Sequence, residues 1–226
     1  MTGTIFNAAA IIVGGVLGTA LRRGVPRGIQ QTLMQGLALA VILIGFSYAI
    51  KTEEILILIL SLVVGGILGE LAAIEDKLAR LGQAVERRFG GDQGVARAFV
   101  TASLVYCVGA MAVMGALQDG LTGNPEILVA KGLIDGVLAM VFASTMGYGV
   151  ALSALPVFIY QGCVALLAHQ LSPLLTTALV AEMTAVGGLL IVGIGANLLE
   201  LTRIRAGNLL PAIFVVPVLI WLKSLL

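Results

Sequence analysis

Apolar runs recur along this chain with only short charged breaks between them. They cover roughly Thr4–Leu21, Thr32–Ile50, Ile55–Leu71, Ala96–Leu117, Ile127–Tyr148, Val157–His169, Leu174–Leu199 and Leu209–Leu222. A hydrocarbon core about 30 Å thick takes about 20 apolar residues to cross as a helix. Inside lipid every backbone N–H and C=O must be paired within the segment or within a closed barrel. The runs are continuously apolar and do not alternate with a period of two, which selects helices over barrel strands. The expected fold is therefore all-α, a polytopic transmembrane helix bundle of about eight spans.

Composition closes off the soluble alternatives. The 226 residues are 59% hydrophobic and 11% charged, with mean hydropathy +1.09. A soluble domain is about one quarter charged. Eight crossings use up the length, so residues 1–226 form a single integral membrane domain. A net charge of +1 offers no electrostatic footprint for nucleic acid. The first run lacks a preceding basic stretch and is followed by Arg22 and Arg23, as a retained span would be. Cys107 and Cys163 sit inside apolar runs and act as small packing groups. The hydrophilic stretch Glu75–Asp92 places Leu78, Leu81, Val85 and Phe89 at helical spacing among charges. It is expected to form an amphipathic helix at the cytoplasmic face.

Loop charge sets the orientation. With the loop after the first span inside, the inner loops collect ten of the 13 Lys and Arg residues and the outer side keeps Lys51, Lys131 and Lys223. Both termini then lie outside. The joint near Ser153 is inner by parity yet uncharged, so span six either crosses or is re-entrant, and a re-entrant segment reduces the count to seven. The order Gly–Pro–Gln-Gly–Val-Gly-Gly occurs in both halves, through Gln35-Gly36 with Val64-Gly65-Gly66 and through Gln161-Gly162 with Val186-Gly187-Gly188. That order fits a parallel internal duplication of the kind transporters use. With 29 glycines in the chain, it also fits chance.

Polar side chains within spans carry what chemistry the sequence offers. The stretch Lys131–Gly162 holds Asp135, Ser144, Thr145 and Gln161 in an otherwise apolar setting. Glu182 lies inside span seven on a face of small residues, Ala178, Ala185, Gly193 and Ala196. An acid at hydrocarbon depth costs on the order of 3 kcal/mol unless it meets a partner or a cavity. Asp135 and Glu182 lie at similar expected depth from the outer side, so one site could use both. Lys131 stands four residues before Asp135 and either pairs with it or snorkels to the interface. Gln35 and Gln161 suit solute binding or helix–helix hydrogen bonding. Ser144 and Thr145 suit a pathway or a bond back to their own helix. No metal-ligand spacing, nucleophile–base pair or phosphate loop stands out, so neither an enzyme nor a cofactor is expected.

Three stretches, VYCVGAMAVMGALQDGLTG, AKGLIDGVLAMVFASTMGYGVALSALPVFIYQG and ANLLELTRIRAGNLLPA, resemble the YdfK/YqgA family of bacterial multi-spanning membrane proteins. The likeness runs essentially end to end. It implies an all-helical bundle in the bacterial inner membrane and, the family being of unknown function, transfers no site residue. Physics then leaves two functional readings. One is a small transporter or channel in which Asp135, Glu182, Gln161, Gln35, Ser144 and Thr145 line the path of a small solute, cation or proton. The other is a structural or regulatory membrane protein without transport. The glycine-rich faces fit a homo-oligomer as well as packing within one chain.

Overall fold

In a computed structural model, residues 1–22, 26–77, 80 and 94–223 are described. The amphipathic segment expected at Glu75–Asp92 lies for the most part outside them. Among the described residues there is no strand, and the helices in chain order are α1 (Thr2–Arg22), α2 (Arg27–Ala49), α3 (Ile55–Leu71), α4 (Val95–Cys107), α5 (Ala110–Thr122), α6 (Glu126–Met146), α7 (Gly149–Leu152), α8 (Ala154–Leu166), α9 (Ala168–Leu171), α10 (Thr177–Leu198), α11 (Ala206–Leu209) and α12 (Pro211–Lys223). The eight apolar runs each correspond to a helix or a helix pair. Six segments are long and apolar enough to cross a membrane, and the bent α4–α5 pair would make a seventh. The remaining run, α3, has 17 residues. At 1.5 Å per residue that is about 25 Å, the short end of the spanning range.

The chain folds as two compact units, Met1–Leu37 with Ala79–Leu174 and Ala38–Leu78 with Leu175–Leu226. Neither unit is one half of the sequence. Each unit draws on both halves of the sequence, and α2 contributes residues to both.

The first unit is built on the seam between α1 and α6. Gly14 and Gly18 on α1 face Gly136 and Met140 on α6, and a Cβ placed on Gly14 would stand 2.0 Å from the Gly136 carbonyl oxygen. Lipid provides no hydrophobic drive between helices, so small residues that let backbones meet supply the contact energy instead. The two helices run parallel, since Gly3 packs on Pro125 and Leu128 near both N-termini. The expected span Ala96–Leu117 is broken: α4 and the helix from Met111 are bent by 62°. Gly109 at the break has φ +128°, which a side chain would strain, and Val108 is extended. The pair α7–α8, Gly149–Leu166, is long and apolar enough to cross a membrane. Gly149 packs on Val95 and Ala98 where α4 begins, whereas Ala165 and Ala168 pack on Gly120 where α5 ends.

In the second unit α10 is the most buried of the spanning helices. It packs with α3 and α12 in a core that includes Leu58, Val186, Leu190 and Val216. Gly45 of α2 and Gly188 of α10 make a mutual close approach. The helices α3 and α12 run antiparallel. Lys223 pairs with Glu54 at one end, and Arg205 and Asn208 hold the Glu70 carboxylate at the other. The periphery is apolar. Leu43 of α2 and Phe214 of α12 are each 70% exposed, as on a surface that faces lipid or another apolar partner.

Candidate functional site: a buried polar centre

The midpoint of α6 carries the strongest departure from an apolar interior. Asp135 is nine residues into the helix, about 14 Å from its start. It is 3% exposed, and Lys131, one turn earlier, is 6% exposed. The Lys131 ammonium donates to the Asp135 carboxylate, so the lysine has not snorkelled to the interface. Two buried charges in low dielectric hold only as a pair, because either alone is left with its full desolvation cost.

Helix α1 brings a second polar layer against this pair. Gly132 lies between Lys131 and Asp135, and a Cβ there would stand 3.0 Å from the Asn7 Cα. The bare backbone at that position lets Asn7 sit against α6 between Lys131 and Asp135. Asn7 Nδ2 donates to Gln161 Oε1 of α8 at 3.2 Å. Thr4 lies one turn before Asn7. From the broken pair come Tyr106, which stacks against Phe142 at a centroid distance of 6.1 Å, and Cys107.

This centre is under-satisfied. Thr4 Oγ1, Asn7 Oδ1, Tyr106 Oη and Gln161 Nε2 are buried with no hydrogen-bond partner, and all four residues have no exposed surface. Each buried group without a partner costs about 1–3 kcal/mol, so four in one unit are a feature to explain. The large cavity of the same unit, about 750 Å³, is not the explanation. Its walls include Ile5, Ile12, Phe99, Leu155 and Phe158, and every lining side chain is apolar.

Other acids act as helix caps. Glu182, buried at 3%, accepts from the Thr52 hydroxyl at 2.6 Å and from the backbone N–H groups of Glu53 at 2.7 Å and Glu54 at 3.2 Å. These are the orphan donors before α3, whose N-cap residue Glu54 makes no side-chain cap of its own. A carboxylate is favourable there through both hydrogen bonding and the helix dipole. Helix α10 starts at Thr177, so Glu182 sits five residues in, nearer the helix end than the span starting at Leu174 implied. Asp119 does the same for α1. It is 3% exposed and accepts from Gly3 N–H at 3.1 Å and from the Met1 α-amine at 3.0 Å. Glu182→Ala strips three donors of their acceptor, so the detergent melting temperature should drop by the equivalent of about 2 kcal/mol. Glu182→Gln keeps one carboxamide oxygen and should lose less. An unchanged melting temperature for the alanine variant would remove the capping assignment.

The remaining sequence candidates scatter. Ser144 donates to the Val141 carbonyl at 2.7 Å and Thr145 to the Phe142 carbonyl at 2.9 Å, both within α6. Gln35 is exposed on α2. Asp135 and Gln161 are gathered into the first unit's centre, whereas Glu182 belongs to the second unit, and the bonds described for each stay within its own unit. Thr4, Asn7, Tyr106 and Asp119 were not among the pathway residues expected from the sequence. Asn7, a lone amide in an otherwise apolar first span, was the one signal available.

Fold and centre together define a helical membrane protein with an ion pair and unsatisfied polar groups in its interior. The chain belongs to the family described as "Protein of unknown function (DUF554)", whose model matches residues 2–221. It is similar to the uncharacterized membrane protein YdfK of Bacillus subtilis (strain 168), 32% identical over 225 residues, covering 98% of this chain and 96% of that one. It is also similar to the uncharacterized protein YqgA of Escherichia coli (strain K12), 29% identical over 217 residues, covering 93% of this chain and 92% of that one. No solved structure matches it.

Proposed function

We propose that this protein is a small transporter or channel of the bacterial inner membrane, with both termini outside, and that a small polar solute or ion passes through the first unit at Asp135. The observation that carries the reading is the buried Lys131–Asp135 pair, flanked by Asn7 and, through it, Gln161, both with polar atoms lacking partners, in the unit that also holds the break between α4 and α5. Charges inside a membrane protein are costly and tend to mark solute and proton paths. Interrupted helices near mid-membrane are a recurring way of building such sites, because the break frees backbone groups for a solute. Gln161 and Asn7 supply one free donor and one free acceptor next to the pair.

The rival is a membrane scaffold without transport. It is favoured by Glu182, whose oxygens are taken up in capping α3, and by Ser144 and Thr145, which bond back to their own helix. Flux separates the two. Purified protein in sealed proteoliposomes should pass alkali cations, protons or small polar solutes above the leak of empty vesicles. Asp135→Asn should abolish that flux while Glu182→Gln, if folded, retains it. Wild-type vesicles no leakier than empty ones across that panel would leave the scaffold.

A further inference from the structure

We propose that a single file of water molecules runs along the Thr4–Asn7 face of α1, from Asp119 to the Asn7 and Gln161 amides, and that the end of the first unit where α1 and α6 begin is the mouth of the Lys131–Asp135 site. Resting on the transport reading, the proposal names the entrance to that site and what fills it.

The unpartnered polar atoms of this unit fall in order along one helix. Asp119 accepts the Gly3 N–H through Oδ2, while its Oδ1 is buried with no hydrogen-bond partner among the described residues. Thr4, the next residue of α1, has no exposed surface, and its Oγ1 is without a partner. Asn7 is equally buried. Its Nδ2 goes to Gln161 Oε1, which leaves Asn7 Oδ1 and Gln161 Nε2 over. Gly132 then brings Asn7 against α6 between Lys131 and Asp135. Tyr106 reaches the centre from α4 against Phe142, and the file does not depend on it.

The spacing suits water. Thr4 and Asn7 are three residues apart, a rise of about 4.5 Å. One water spans that gap with two hydrogen bonds of about 2.8 Å each. A buried water needs two to four polar partners, and these acceptors with the Gln161 donor provide them. At hydrocarbon depth lipid offers no hydrogen bond, so protein or held water has to satisfy each polar group. The Asp119 end is the wet one: α5 stops at Thr122, and Gly123 and Asn124 in the turn that follows are exposed.

Past Asn7 the same seam is apolar and closed. Ile11, the next buried residue on that face of α1, has no exposed surface. A Cβ on Gly14 would stand 2.0 Å from the Gly136 carbonyl oxygen, and one on Gly18 would stand 2.1 Å from that of Met140. Backbones this close leave no space for water between them. Toward that end the buried Thr145 and Ser153 each donate to the carbonyl three residues earlier. The polar line is therefore one-sided. A single file supplies hydrogen bonds and not bulk solvent, so Lys131 and Asp135 still depend on each other.

The test reads water contact residue by residue. Thr4→Cys, Asn7→Cys and Ile11→Cys are made singly in full-length protein carrying Cys107→Ala and Cys163→Ala, in lipid vesicles prepared in heavy-oxygen water. Short X-ray pulses generate hydroxyl radicals from water in place, and mass spectrometry reads the heavy oxygen each thiol takes up. Thr4→Cys and Asn7→Cys should label about tenfold faster than Ile11→Cys, because only the first two touch held water, although all three positions lack exposed surface in the native chain. Thr4→Val keeps the shape and removes the hydroxyl, and should slow the labelling of Asn7→Cys about fivefold, whereas Thr4→Ser should leave it fast. Labelling at positions 4 and 7 as slow as at 11 overturns the file. Labelling at 11 as fast as at 7, or labelling at 7 that ignores Thr4→Val, overturns the one-sided mouth. In each of these cases the Asp135→Asn flux comparison still decides separately whether the protein transports. A wet file in vesicles without flux supports the file and removes the transport reading.

Discussion

Asp135→Leu should lower the stability of the protein by about 3–5 kcal/mol, seen as a large fall in melting temperature in mild detergent. The cost does not come from the lost attraction alone. With the carboxylate gone, the Lys131 ammonium stays in a site with almost no solvent exposure and, among the described residues, no other ion-pair partner. Removing one member of a buried pair is typically worth this much, whereas replacing both by apolar groups of similar size is close to neutral. The double variant Lys131→Met with Asp135→Leu should therefore recover most of the lost stability. A single variant as stable as wild type would mean that Lys131 reaches solvent and that the centre is wet at that end. A double variant as unstable as the single one would mean that the pair organises the fold around it.

The second large effect is expected at the seam between α1 and α6. Gly14→Val should destabilise the first unit by about 3 kcal/mol or more, the upper range for overpacking. A Cβ at this position already falls 2.0 Å from the Gly136 carbonyl oxygen and 2.9 Å from its carbonyl carbon. These are backbone atoms and cannot rotate away, so the helices must part. Parting them also withdraws Asn7 from its place beside the pair, so losses of stability and of flux should appear together. Gly36 is the internal control. Nothing lies within 4 Å of its Cβ position. There a Gly→Ala change should be neutral, or stabilising by about 0.5 kcal/mol, because glycine costs a helix more entropy than alanine does. Equal losses at positions 14 and 36 would show that the α1–α6 contact contributes little.

Sequence alone made the segments legible because membrane solvation acts on every residue of a run. That is why the eight apolar runs all reappear as helices. The break at Gly109 was not legible, since a single glycine among 29 carries no local mark that its φ will be positive. The Lys131–Asp135 pair was half visible. Spacing put the two on one helix face, but burial depended on α1 arriving with Asn7, a partner more than 120 residues away. Glu182 shows the opposite limit. Its depth suggested a solute path, and the decisive partners were backbone N–H groups of Glu53 and Glu54, which leave no trace in residue identity. The capping role of Asp119 was hidden for the same reason: it is set by Gly3 N–H of another helix.

The most direct test of the whole account uses the charge-free double variant at Lys131 and Asp135. Its flux in proteoliposomes should be compared with wild type at equal incorporation and equal melting temperature. The prediction is a folded protein with flux reduced to the level of empty vesicles. A folded double variant that carries solute at the wild-type rate would contradict it and place any pathway elsewhere in the chain.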